Sequence, residues 1–253
     1  LTSATPKMKE LKEKKKERAE QPKSDASAFS NLGLDGEIVK ALGFLGYSQP
    51  TPIQSQAIPA VLGGKDLVGL AQTGTGKTAA FALPLIQQLL MNPIALKARS
   101  ARTIILSPTR ELALQIHDAF VSFGKRLPLN FTHAIGGAPI RKQMRDLSKG
   151  VDILVATPGR LEDLVEQKGL RLDETKFLVL DEADQMLDIG FLPAVKRIIS
   201  KVSKERQTLL FSATMSKEIK KLTETYLKDP VQVSVTPENS TVEKIEQSLM
   251  HLS

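Results

Sequence analysis

The chain has 253 residues, enough for one large domain or two small ones, and its 41% hydrophobic and 25% charged content is that of a globular protein with a sizeable core. It contains no cysteine, which excludes disulfides, thiolate metal sites and cysteine nucleophiles together. No apolar run approaches the roughly 18 residues needed to span a bilayer, and a charged N-terminus does not read as a secretory signal. The formal net charge is +7, from 35 Lys and Arg against 28 Asp and Glu. A basic body suits a polyanion such as nucleic acid, and equally suits plain solubility.

Residues 1–28 read as a charged extension, with 8 basic and 5 acidic side chains and almost no apolar face to bury. From Phe29 the pattern changes. Short runs rich in Val, Ile and Leu at 65–70, 102–106, 130–135, 152–156, 177–180, 208–211 and 231–235 read as strands. Between them, helical periodicity occupies 78–91, 110–127, 139–147, 159–167, 192–202 and 217–227. Unbroken apolar strands separated by helices imply an α/β domain, a doubly wound and mostly parallel sheet with helices on both faces. The active edge of such a sheet is formed by the loops at the carboxyl ends of its strands.

The first strand runs into Ala71-Gln72-Thr73-Gly74-Thr75-Gly76-Lys77-Thr78 and a helix follows at once. Two glycines let the backbone N–H groups turn inward around an anion, and the helix N-terminus adds partial positive charge. Lys77 is placed to reach the outer phosphates of a nucleotide, and the Thr78 hydroxyl to ligate Mg²⁺. The strict pattern starts with Gly where this chain has Ala71, a small residue that still fits. Further on, the strand at 177–180 ends in Asp181-Glu182-Ala183-Asp184. Asp181 at the strand end suits Mg²⁺ through its water shell, and Glu182 suits orientation or deprotonation of an attacking water. Read locally, the same acids would also favour the start of a following helix.

Asp-Glu-Ala-Asp in this place resembles the signature of the DEAD-box RNA helicases, and other segments resemble the N-terminal motifs of that family. Gly46 to Gln54 resembles its Q motif, with Phe29 as the upstream aromatic. By that resemblance Gln54 reads the adenine edge and Phe29 stacks on its face. Local sequence offers a second reading of Gln54, as the third residue of a capping box begun by Thr51. Pro108-Thr109-Arg110-Glu111-Leu112, Gly136-Gly137 and Thr157-Pro158-Gly159-Arg160 resemble the segments with which the family grips the backbone of single-stranded RNA. Helix N-termini, hydroxyls and arginines are indeed backbone binders without base preference. Turn and capping chemistry accounts for Thr109, Thr157, Pro158 and the glycines nearly as well, but not for an arginine in both places. Ser212-Ala213-Thr214 resembles the motif that hydrogen-bonds to the acidic signature and couples ATP state to unwinding. A capping role there falls more naturally to Ser216.

The resemblance implies a RecA-like nucleotide-binding domain over residues 29–236, with 237–253 as the start of a linker to a second RecA-like domain. That second domain, which supplies arginine fingers in the family, is expected as a partner in the full-length protein. It further implies ATP and Mg²⁺ as ligands, RNA as a partner, no membrane association, and a monomeric domain that binds ATP but is nearly inactive by itself. A bacterial cytoplasm is the expected location, although Lys14-Lys15-Lys16 would also suit a nuclear address. Two rivals stay open at this level: a DNA helicase, and a scaffold that holds its nucleotide for structural reasons.

Overall fold

The computed structural model describes residues 23–235. Seven strands form one sheet: β1 (Leu67–Leu70), β2 (Ala101–Leu106), β3 (Phe131–Ala134), β4 (Val151–Ala156), β5 (Phe177–Leu180), β6 (Gln207–Ser212) and β7 (Val231–Ser234). Their order is β3-β4-β2-β5-β6-β1-β7 and every pairing is parallel. The helices are α1 (Gly36–Leu45), α2 (Pro52–Leu62), α3 (Lys77–Met91), α4 (Arg110–Phe123), α5 (Ile140–Asp146), α6 (Pro158–Glu166), α7 (Ala183–Asp188), α8 (Leu192–Lys201) and α9 (Lys217–Tyr226).

Successive strand residues point to opposite faces, and the sheet uses this to feed two cores. Ile105, Val179, Leu209 and Phe211 pack with α2, α3 and α4 on one face. Their neighbours in the strands, Ile104, Leu178, Leu180 and Leu210, point to the other face and meet α6, α8 and α9. The inner strands β2, β4 and β6 are buried at every residue, whereas the edge strand β7 buries only Val233. Helix α3 is apolar nearly all round because it lies between the sheet and neighbouring helices α2 and α4.

Each of the expected strands and helices is present, and the sheet is wholly parallel rather than mostly so. The region before β1 differs from the expectation. A short 3-10 helix (Ser27–Leu32), α1 and α2 cover the sheet there, of which the sequence suggested only the start of α2. Residues 23–28, read above as the end of a charged extension, belong to the folded body. Ala26 is buried in the core, the Lys23 amide donates to Gly43 O (2.8 Å), and the Ser24 hydroxyl donates to Tyr47 O (2.5 Å). Residues 1–22 and the expected linker at 237–253 lie outside the described residues.

Candidate functional site

The strand order divides the carboxyl edge of the sheet in two. The loops after β1, β5 and β6 carry the phosphate loop, the acidic signature and Ser212-Ala213-Thr214. The loops after β2, β3 and β4 carry the three expected backbone-gripping segments.

In the first half, β1 delivers the chain to the exposed turn at Gln72, Thr73 and Gly74, closed by the Thr75 hydroxyl donating to Gln72 O (2.8 Å). Gly76 then starts α3 with φ +93°, a left-handed conformation that favours glycine. It also sits where a Cβ would collide with the Gln54 amide, so the residue must be small for Gln54 to reach it. Gln54 is 2% exposed and engaged at both ends. Its Oε1 accepts from the Thr51 amide (3.0 Å), and its Nε2 donates to Gly76 O (3.2 Å). The capping-box reading is therefore realised, and the same amide ties α2 to the phosphate loop.

Lys77 is buried and spends its ammonium inside the protein. Its Nζ donates to Ala71 O (2.9 Å) and pairs with Glu182 Oε1 (2.8 Å). The two charges offset one another's desolvation, which neither could bear alone. Glu182 holds a left-handed backbone, φ +51° and ψ +53°, the kind of local strain found at functional turns. That twist separates its side chain from Asp181 at the strand end. Asp181 is 5% exposed, and its Oδ1 has no hydrogen-bond partner among the described residues. Burial pushes its carboxyl up to about 7; Lys77 pulls it back only in part, and Glu182 adds to the rise. An orphaned, buried carboxylate oxygen is what a hard divalent cation satisfies, so the donor set of Asp181 and the Thr78 hydroxyl fits Mg²⁺.

Asp184 closes this half. Its Oδ2 accepts from the Ala213 amide (3.1 Å), the Thr214 amide (3.0 Å) and the Thr214 hydroxyl (3.1 Å), and its Oδ1 accepts from the Gln185 amide (3.1 Å). Ser212, expected in the same linkage, is wholly buried and its hydroxyl makes no hydrogen bond among the described residues. As the last residue of β6 it shares the face of Leu210 and is turned into the core. Ser216 caps α9 instead, accepting from the Ile219 amide (3.2 Å).

In the second half, Pro108, Thr109, Arg110, Gly136, Thr157 and Gly159 line one open cleft of about 380 Å³. Thr109 caps α4 by accepting from the Leu112 amide (3.2 Å), while Thr157 begins α6 without a side-chain cap bond. Pro158 takes the first helical position there. Gly136 and Gly137 are explained by Arg110, whose guanidinium lies across them where any Cβ would crowd it. Arg160 donates through Nη1 to Ala138 O (2.9 Å) and Gln143 Oε1 (3.0 Å), and Gln143 Nε2 donates to Ile135 O (2.9 Å). It therefore braces the loop after β3.

One expectation needs correction. Phe29 presents no face to a nucleotide: it is 0% exposed and packs edge-on to Tyr47, 6.4 Å between ring centres. Its burial follows from the 3-10 helix, which turns the ring into the core beneath the Gly46–Gln54 segment. Phe191, which the sequence did not single out, is half-buried and lines the cleft. The signal was its place, just past the short helix α7 that carries Asp184. Gln143 was also missed, because nothing in sequence separates a bracing glutamine from a surface one.

Residues 51–222 match the DEAD/DEAH box helicase family. Among similar proteins, the RNA helicase CrhR of Synechocystis sp. is 45% identical over 226 residues, covering 89% of this chain and 45% of the relative. The ATP-dependent RNA helicase CshA of Limosilactobacillus reuteri is 46% identical over 220 residues, covering 87% and 43%. The chain thus spans about half the length of these relatives. The crystal structure of a DEAD box protein from the hyperthermophile Methanococcus jannaschii superimposes with a TM-score of 0.75 at 38% identity, over 83% of this chain and 56% of that one. With the phosphate loop, the Asp181–Asp184 signature and the parallel sheet all in place, the chain belongs to the DEAD/DEAH box helicase family.

Proposed function

We propose that this chain is the nucleotide-binding half of an ATP-dependent RNA helicase. The observation that carries the reading is the division of one sheet edge: the phosphate loop and the cleft around Arg110 open side by side, with Asp181–Asp184 between them. The similar proteins CrhR and CshA are RNA helicases, which supports the same activity.

In this reading Lys77 exchanges Glu182 for the outer phosphates of ATP, and Glu182, once released, orients or deprotonates the attacking water. Gln54 exchanges Thr51 N–H and Gly76 C=O for the donor and acceptor on the adenine edge, a pairing that an amide can make. Gln72, Thr73, Gly74, Thr75 and Gly76 wrap the phosphates with backbone N–H groups. Asp181 and Thr78 would hold Mg²⁺, which when bound neutralises phosphate charge. Arg110, Thr157, Gly159 and Phe191 would meet the RNA backbone and a base, with Pro108, Thr109, Gly136, Gly137, Pro158 and Arg160 shaping the cleft. Asp184, held by Ala213 and Thr214, would pass nucleotide state to the β6 loop. A second RecA-like domain would complete both sites and supply arginine fingers, each worth roughly 10³–10⁵ in turnover.

Titration of a fluorescent adenine nucleotide with Mg²⁺, using guanine nucleotide as competitor, tests the nucleotide half. Binding should weaken in Gln54→Ala and Lys77→Ala, and guanine should fail to compete. RNA-stimulated ATP hydrolysis should require the second domain supplied in trans; rapid unwinding by this chain alone would sink the reading.

A further inference from the structure

Away from the carboxyl edge, α1 and the end of α4 enclose a cleft of about 450 Å³, within the size range of sites that take a side chain or small ligand. Its rim carries four cations, Lys23, Lys40, Lys125 and Arg126, against the single acid Glu37. None of the four is in an ion pair among the described residues, although ten such pairs occur elsewhere. The floor is apolar: Phe44, Leu45 and Leu127, with Leu45 39% exposed. The Arg126 guanidinium stands 4.8 Å from the centre of the Phe44 ring.

Helix α4 starts at Arg110 in the cleft described above and runs 14 residues to Phe123. At 1.5 Å per residue that is about 21 Å. The basic, apolar-floored cleft shares no lining residue with the cleft around Arg110 and has no part in the chemistry proposed above.

We propose that this cleft is a docking site for an acidic segment of a partner protein, one that inserts a single apolar side chain between its carboxylates. Charge complementarity selects the acidic flanks: four cations, unpaired among the described residues, around one acid repel one another and gain by an anionic neighbour. The concave apolar floor selects the anchor, since a side chain buried there desolvates the surrounding carboxylate–cation pairs. RNA fits less well. Its phosphates would engage the rim cations but leave the apolar floor unused, and no ring there offers an open face to a base, since Arg126 covers Phe44 and Phe123 is 5% exposed. Phe123 lines the cleft and also packs edge-on to Tyr47, 5.9 Å between ring centres, so an inserted anchor sits one ring from the segment that leads to Gln54.

The test is fluorescence anisotropy with a short labelled peptide of Asp and Glu carrying one central Leu, a matched peptide with Asn in its place, and labelled oligouridylate. Saturable binding of the Leu peptide is expected, at least about tenfold weaker in K40E/R126E and in the Asn peptide, and unchanged in R110E. Tenfold corresponds to about 1.4 kcal/mol. Both substitutions are at exposed positions; should the double variant fold poorly by circular dichroism, Ala41→Trp fills the cleft without altering charge and must weaken the Leu peptide alike. Three results would overturn the proposal: equal binding of the Leu and Asn peptides, indifference to both variants, or oligouridylate binding lost in K40E/R126E while the peptide never binds.

Discussion

The two halves of the sheet edge solve opposite problems with the same kind of loop. On the nucleotide side the polar groups are turned inward and satisfy one another: Lys77 holds Glu182, and Gln54 holds Gly76. On the other side the cleft is preformed, with Arg110 seated over a glycine pair and Arg160 bracing the wall. A ligand for the first half must displace internal partners, whereas a ligand for the second meets a surface already built. The difference follows from burial. Lys77 and Glu182 are 5% and 8% exposed at their side chains, so each must have a partner whether or not a ligand is bound. The open cleft leaves Arg110 exposed to water.

Breaking the inward-facing half should cost most. Lys77→Ala leaves Glu182 buried without its partner and should lower stability by roughly 3–5 kcal/mol, read by urea unfolding. Adding Glu182→Gln should recover much of that loss, and a strictly additive double variant would deny that the pair is coupled.

Asp181 gives the next effect, and it depends on pH. Its carboxyl is raised to about 7, chiefly by burial. A raised carboxylate makes the folded state hold its proton more tightly than the unfolded one. The penalty is therefore absent below the ordinary carboxylate range near 4, grows between about 4 and 7, and is full above. Asp181→Asn should melt higher than the parent at pH 8, by an amount equivalent to a few kcal/mol, with the gain vanishing near pH 4. A gain of equal size at both pH values would assign it to packing rather than charge.

Gly137→Ala sharpens the comparison from the other side. Gly137 has φ +84°, and a Cβ there would run into the Arg110 guanidinium. The left-handed strain alone is worth about 1–2 kcal/mol. Thermal unfolding should show that loss, RNA binding should fall, and adenine nucleotide affinity should stay as it was. The finest comparison is between two threonines. Thr109→Ala removes a helix cap and should cost about 1 kcal/mol, whereas Thr157→Ala, whose hydroxyl caps nothing, should be near neutral in stability yet still weaken RNA binding.

Sequence alone determined the parallel α/β framework, because central strands buried on both faces read as unbroken Val, Ile and Leu runs and the loops between them carry recognisable chemistry. It placed Lys77 at the start of the helix after β1 and Asp181, Glu182 and Asp184 just past the end of β5 for the same reason, and the capping residues Thr109 and Ser216 by local hydrogen-bond logic. It left Gln54 with two readings, and only the fold showed that one amide makes the cap and holds the phosphate loop at once. Tertiary structure decided Phe29, Phe191, Ser212 and residues 23–28, since whether a ring or hydroxyl faces a ligand or the core depends on what packs over it. It alone seated Arg110 on Gly136 and Gly137, a contact between residues 26 and 27 positions apart. Side chains meet there because β3 and β2 flank β4 in the sheet, an ordering that no local pattern encodes.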